Sequence, residues 1–236
     1  MANDISSSSL IALFQFALDN QWGYIWGTKG TEWTQAKQTA LEKTTDADRA
    51  NSRKYGSQWI GHMVADCSGL FSWAFEQLGG YMYHGSNTMW DKYCTSKGEL
   101  IKGVRDDGQE LKPGTAVFTH SSEKRGHVGL FVGDGIVIEA AGAKQGVITS
   151  NITDKKWVEW GELKGVIYGE PEPVPAGYAV VTGKNVALRK GPSTACAVIT
   201  RAPTGSKVKI TEPPSDWEYI TYNGKQGYMM KQFLKE

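Results

Sequence analysis

Three prolines at alternate positions, in Glu170-Pro171-Glu172-Pro173-Val174-Pro175, constrain this chain more than any other stretch. Each ring fixes φ and removes a backbone donor, so the segment can enter neither a helix nor the middle of a sheet. It reads as an extended, stiff spacer. The 236 residues then fall into a segment over 1–170, the spacer over 171–177 and a segment over 178–236. Segments of about 170 and about 60 residues are both ordinary domain sizes. Hydrophobic residues make up 40% of the chain, enough for each segment to build a packed core.

The first segment changes character half-way. A helix is expected from Ser9 to Asn20, because Leu10, Leu13, Phe14, Ala17 and Leu18 share one face and the serines before them offer an N-cap. The short aromatic run Trp22-Gly23-Tyr24-Ile25-Trp26-Gly27 follows. Residues 28–62 are polar and charged, with helix formers over Thr34 to Lys43, and read as an inserted loop or helical excursion. A second, strongly apolar helix is expected from Cys67 to Leu78, stopped by Gly79-Gly80. After Pro113-Gly114 the pattern becomes β, with runs at 115–119, 128–132, 136–140 and 147–151 and a closing strand at Val166-Ile167-Tyr168. Asp134-Gly135 signals a two-residue hairpin. Helices first and an antiparallel sheet second make an α+β fold. From Tyr178 onward there are only short strands between turn clusters such as Lys190-Gly191-Pro192, Pro213-Pro214 and Asn223-Gly224, which suits a small all-β barrel.

The bulk numbers remove several function classes. A formal net charge of +1 lacks the basic face that nucleic acid requires. No apolar stretch reaches the length of a membrane span, and the N-terminus, Met1-Ala2-Asn3-Asp4-Ile5 and four serines, shows no signal-peptide pattern. The cysteines Cys67, Cys94 and Cys196 form no disulfide framework. Neither they nor the four histidines have the spacing of a zinc site. No metal, no cofactor and a monomer are expected.

The candidate chemistry centres on Asp66-Cys67-Ser68-Gly69-Leu70. Cys67 sits at the expected start of a helix, where unpaired N–H groups and the dipole favour a thiolate; a buried, inert thiol is the alternative. His127 opens the strand His127-Val128-Gly129-Leu130-Phe131-Val132-Gly133, a rigid platform for an imidazole base, or simply a strand-end histidine. Glu139 lies on the next strand. Pairing around the Asp134-Gly135 turn places Phe131 and Ile138 within the ladder and brings Glu139 back toward His127. There it either orients the ring or is an exposed strand acid. His62, His84 and His120 lie in polar or loop-like contexts and receive no catalytic role.

In order, Tyr24-Ile25-Trp26-Gly27, Asp66 to Leu70, Leu111-Lys112-Pro113-Gly114, His127 to Gly133 and Val137-Ile138-Glu139-Ala140 resemble the motifs of the NlpC/P60 family of papain-like cell-wall peptidases. The resemblance implies a papain-like domain with Cys67 as nucleophile, His127 as general base and then acid, and Glu139 as orienting residue at a position that is often His. It further implies that Tyr24 donates toward the oxyanion, that Asp66 and Ser68 bind the free amino end of a peptidoglycan stem peptide, and that Ser86 is a pocket serine. Two departures stand out. The 28–62 insertion separates Tyr24 from Cys67, and His84-Gly85-Ser86 replaces the family's Arg-Thr-Ser.

The last segment is similar to bacterial SH3 domains through Asn185 to Ser193, Asp216-Trp217-Glu218-Tyr219-Ile220 and Gly227-Tyr228-Met229. Such domains bind wall peptides or wall the catalytic cleft, and Trp217 reads as a core residue. Together the resemblances imply a peptidoglycan hydrolase acting on the cell wall, secreted or phage-released, that cuts between D-γ-glutamate and a diamino acid. An amidase, a cross-bridge endopeptidase and a non-catalytic wall-binding protein are the alternatives.

Overall fold

The computed structural model describes residues 5–121, 124–154, 156–169, 178–183, 185–191, 194, 196–203, 205–210 and 217–235. The proline-rich spacer, the Pro213-Pro214 turn, Asp216 and Pro192-Ser193 lie outside the described residues, as do Met1 to Asp4. The chain divides into two compact units, residues 1–169 and 170–236.

The first unit opens with β1 (Ile5–Ser6) and α1 (Ser7–Asp19). Then come β2 (Lys29–Glu32), α2 (Gln35–Glu42), α3 (Ala50–Tyr55), β3 (Met63–Ala65), α4 (Cys67–Gln77) and a single turn, α5 (Ser86–Thr88). The strands β4 (Cys94–Ile101), β5 (Val104–Arg105), β6 (Ala116–Ser121), β7 (Lys124–Gly133), β8 (Ile136–Gly142), β9 (Gly146–Asn151), β10 (Glu159–Leu163) and β11 (Val166–Ile167) complete it.

Local chemistry explains where the two main helices start. The Ser6 hydroxyl accepts the Ser9 N–H at 3.1 Å and caps α1, two residues earlier than the apolar periodicity predicts. Asp66 accepts the Gly69 N–H at 2.7 Å and caps α4. Gly79, at φ +75°, ends α4, and the Gly80 N–H closes on the Phe75 carbonyl. Leu10, Phe14 and Ala17 of α1 meet Leu70, Phe71 and Ala74 of α4 in one buried core, with Phe14 and Phe71 edge to face at 4.7 Å. Each such Leu or Phe, fully buried, contributes about 1.5–3 kcal/mol.

These helices lie against a seven-stranded sheet of order β5-β4-β10-β6-β7-β8-β9. Alternate residues of its central strands (Ala116, Phe118, Val128, Leu130, Ile138 and Ala140) complete the helix-side core. Val117, Phe131, Val137, Trp157 and Trp160 form a second cluster. Asp134 and Gly135, at φ +49° and +74°, turn β7 into β8 as the sequence predicts. Strands β4 and β10, which the pattern does not announce, extend the sheet on one side of β6: β10 pairs with β6 and with β4. The predicted closing strand pairs instead with β1, in parallel and outside the main sheet. The 28–62 insertion is a folded excursion: Ile25, Trp33, Leu41 and Val64 form its own small core, and the buried Gln38 accepts the Trp33 indole N–H at 3.0 Å.

The second unit comprises β12 (Tyr178–Val181), β13 (Val186–Arg189), β14 (Val198–Ala202), β15 (Lys207–Ile210), β16 (Trp217–Tyr222), β17 (Lys225–Met230) and β18 (Leu234–Lys235). They form one seven-stranded sheet of order β14-β13-β17-β16-β15-β12-β18. Asn223-Gly224, at φ +49° and +72°, turns β16 into β17. Val181, Leu188, Val208, Ile220 and Met229 fill its core. Trp217 does not join that core. On β16 the alternation buries Glu218 and Ile220 and leaves Trp217 half-exposed, lining a groove with Asn185, Arg189 and Arg201.

Candidate active site

The start of α4 meets the start of β7. Cys67 is buried, and the backbone N–H groups of Val128, the residue after His127, of Ser68 and of Cys67 itself act to lower its thiol. Those donors favour a thiolate, as the helix start does. They lose to two larger effects. Burial first, and then the Asp66 carboxylate, push the thiol up to about 12. Burial and Asp66 thus oppose the thiolate that the helix position favours.

His127 Nε2 lies 2.6 Å from Glu139 Oε2. In the β7–β8 ladder Leu130 faces Ile138 and Phe131 faces Val137, and Val132 is the extra residue of a bulge before Gly133 meets Ile136. Continuing that register sets Glu139 across from Gly129, diagonal to His127 and on the same face. Glu139 is 1% exposed. Burial pushes its carboxyl up, but hydrogen bonds from His127, Lys156 and Ser150, with the His127 charge, outweigh burial and bring it down to about 2. An ionised carboxylate only accepts, so His127 Nε2 carries the proton that faces it.

Of the remaining residues singled out in the sequence, Tyr24, Asp66 and Ser68 surround Cys67. Asp66 Oδ1 accepts the Gly69 N–H and the Ser68 hydroxyl, and Oδ2 accepts the Gly27 N–H at 2.8 Å and lies 2.8 Å from His84 Nε2. Four partners fill the lone-pair capacity of a carboxylate, so a substrate amine can reach Oδ2 only where His84 now stands. Ser68 is buried. Tyr24 is half-buried; burial, then the negative charges of Cys67 and Asp66, hold its hydroxyl above the usual phenol range. Ser86 stands apart from this cluster, its hydroxyl bonded to the Arg125 carbonyl on β7. No group of three or more His, Cys, Asp or Glu among the described residues is placed to hold a metal ion, and no described helix is long and apolar enough to cross a membrane.

Residues 24–162 match the family model described as NlpC/P60, and residues 184–235 match the bacterial SH3 domain. The chain belongs to the NlpC/P60 family. Among solved structures it is similar to NlpC2 from Trichomonas vaginalis, at 21% identity over 72% of this chain and 48% of that one, with a TM-score of 0.44. It is also similar to the P60 domain of an antigen from M. avium subspecies paratuberculosis (18%, 68% and 96%, TM-score 0.41). The peptidoglycan hydrolase RipB from Mycobacterium tuberculosis gives 20% identity over 66% of this chain and 64% of that one, with a TM-score of 0.42. The chain thus spans about half the length of the Trichomonas protein. No curated protein matches it.

Within this NlpC/P60 domain, Lys156 and Trp157 at the site carry no sequence signal of their own, and His84 belongs to the site although its loop-like sequence context gives it no role. His84 stands beside Asp66, raised above the usual imidazole range by that hydrogen bond, with burial and Lys29 opposing and the Asp66 charge assisting. Lys156 binds Glu139 Oε1. Trp157 stacks on the His127 ring with centroids 5.6 Å apart and planes at 22°. Gly129 makes room for that ring: a Cβ there would lie 2.8 Å from the Trp157 indole.

Proposed function

We propose that the first unit hydrolyses a peptide bond of the peptidoglycan stem, between D-γ-glutamate and a diamino acid, by cysteine nucleophilic catalysis. The observation that carries this reading is the His127 Nε2 to Glu139 contact of 2.6 Å, one residue before Val128, whose backbone N–H favours the Cys67 thiolate. His127 Nδ1 takes the thiol proton as the sulfur attacks the carbonyl carbon. The carbonyl oxygen becomes an oxyanion beside the open start of α4. Asp66 consumes the Gly69 N–H, which leaves the N–H groups of Cys67 and Ser68, with Tyr24, to stabilise it. The imidazolium returns its proton to the leaving amine. Neutral His127 then activates water, which releases the acid product and restores the thiol. Asp66, Ser68 and Ser86 belong to the pocket in this reading, with His84 yielding Oδ2 to the amino end of the peptide.

The NlpC/P60 family match supports both the substrate class and the bond. The SH3-like unit, tethered to the enzyme, raises the local concentration of wall peptides. The test is a digest of defined muropeptides by the wild type and Cys67→Ala, read by mass spectrometry. A new free amine on the diamino acid with the wild type alone is the expected result. Free lactyl-muramate or a cut cross-bridge would move the bond. Wall binding without cleavage by either protein would remove the enzymatic reading altogether.

A further inference from the structure

Lys156 and Trp157 together hold the two partners of the candidate base. The Lys156 ammonium binds Oε1 of Glu139, while His127 binds Oε2. The same ammonium stands 4.8 Å from the centroid of the Trp157 ring, and that ring lies against the His127 imidazole. Two consecutive residues thus fix the carboxylate from one side and the ring face from the other.

The charge count explains why a lysine is needed there. Glu139 is 1% exposed. With only a neutral imidazole beside it, its charge would be buried and uncompensated, and the least costly remedy is a proton drawn onto His127. An imidazolium cannot accept the thiol proton. Lys156 supplies the missing positive charge from a side chain that is 39% exposed, so its own desolvation is small. Thiol, imidazole, carboxylate and ammonium sum to zero before proton transfer, and thiolate, imidazolium, carboxylate and ammonium sum to zero after it.

We propose that Lys156 is a positioning residue that neutralises Glu139 and thereby keeps His127 neutral, with its proton on Nε2 and its Nδ1 lone pair available. This rests on the reading of Cys67 and His127 as nucleophile and base. The other groups around the imidazole do not substitute for Lys156. Glu139 comes from β8 and Cys67 from α4; Ser150, from β9, is neutral; Asp66, Tyr24 and His84 act on Cys67 or on each other. Arg125, on the same strand as His127, is held by both oxygens of Glu159.

The experiment is an NMR titration of His127 in the full chain with labelled histidine, in wild type, Lys156→Met and Lys156→Arg, beside pH profiles of kcat/KM on a defined muropeptide. Loss of the cation lets the carboxylate draw a proton, so Lys156→Met raises both the His127 midpoint and the acidic limb by about one pH unit. Below that limb kcat/KM falls about tenfold, and above it activity recovers. Lys156→Arg, which keeps the cation, titrates like the wild type. A His127 midpoint unmoved in Lys156→Met overturns the proposal, as does an equal shift in both variants. If the wild type cleaves no wall peptide, the functional reading falls, and the His127 titration still decides the role of Lys156. Unchanged near-ultraviolet circular dichroism establishes that each variant is folded.

Discussion

Replacing Glu139 with glutamine removes one buried charge and keeps the side chain's shape. In the wild type both carboxylate oxygens accept, one from His127 and one from Lys156. A glutamine offers one oxygen and one NH2, so it must turn a donor toward one of those two donors. The carboxyl titrates at about 2 in the fold, against a reference value of 4.5. Its folded value is the lower one, so the ionised form stabilises the fold above the unfolded value, and this contribution is lost as pH falls through about 2. The shift is worth about 3 kcal/mol at pH 7, of which about 2 kcal/mol is lost by pH 3. Glutamine does not titrate. The stability gap between wild type and Glu139→Gln should therefore narrow by about 2 kcal/mol between those two pH values. Urea unfolding of the full chain followed by tryptophan emission measures it, since eight of the nine tryptophans precede the spacer. At neutral pH, kcat should fall by about 10- to 100-fold, the loss of one charge-assisted hydrogen bond in the transition state. A gap of equal size at pH 7 and pH 3 would refute the claim that Glu139 is held ionised by its partners.

Three further expectations follow from the same geometry. Cys67, with its thiol pushed up to about 12, should be alkylated by iodoacetamide at a rate that still climbs between pH 7 and pH 10; peptide mapping that shows a plateau by pH 8 would instead reveal a preformed thiolate. Gly69→Ala would place a Cβ 2.0 Å from the Thr28 carbonyl oxygen, which also accepts the Asp66 N–H at 2.9 Å. It should cost about 1–3 kcal/mol and depress activity with it, as a melting scan and a turnover assay would register. Gly129→Ala would bring a Cβ to 2.6 Å from Val137 and 2.8 Å from Trp157, pushing the indole off His127. A comparable loss of stability is expected, with kcat falling more than KM rises; unchanged kcat would show that the Trp157 stack is dispensable.

What was legible in the sequence was whatever local spacing encodes. Asp134-Gly135 and Asn223-Gly224 specify their hairpins because left-handed backbone at two successive positions demands those residues. The apolar run after Asp66 specifies α4 because the cap and the buried face coincide. Strands β4 and β10 were not legible. Cys94-Thr95-Ser96-Lys97-Gly98-Glu99-Leu100-Ile101 and Glu159-Trp160-Gly161-Glu162-Leu163 have no clean alternation. They become strands because Gly98 lies under Trp160 and Gly161 under Cys94, contacts that exist only once the sheet is assembled. Lys156, Trp157 and His84 were missed for the same reason: each is a single residue that acquires meaning from a partner far along the chain.

The protonation state of Cys67 shows how magnitudes decide between two sound arguments. A helix start favours a negative charge by about 0.3–1 kcal/mol, or about 2 kcal/mol in a favourable buried geometry. Burial and the Asp66 carboxylate raise the thiol from 9.0 to about 12, a net opposing effect of about 4 kcal/mol. The sequence shows the helix start and Asp66, but not the depth at which the sulfur ends up. Burial that holds the proton on the thiol calls for a base that is neutral when substrate arrives. The burden moves from the helix dipole to His127, and from His127 to the groups that set its charge: Glu139 beneath it, Trp157 across its face, and Lys156, which balances the carboxylate.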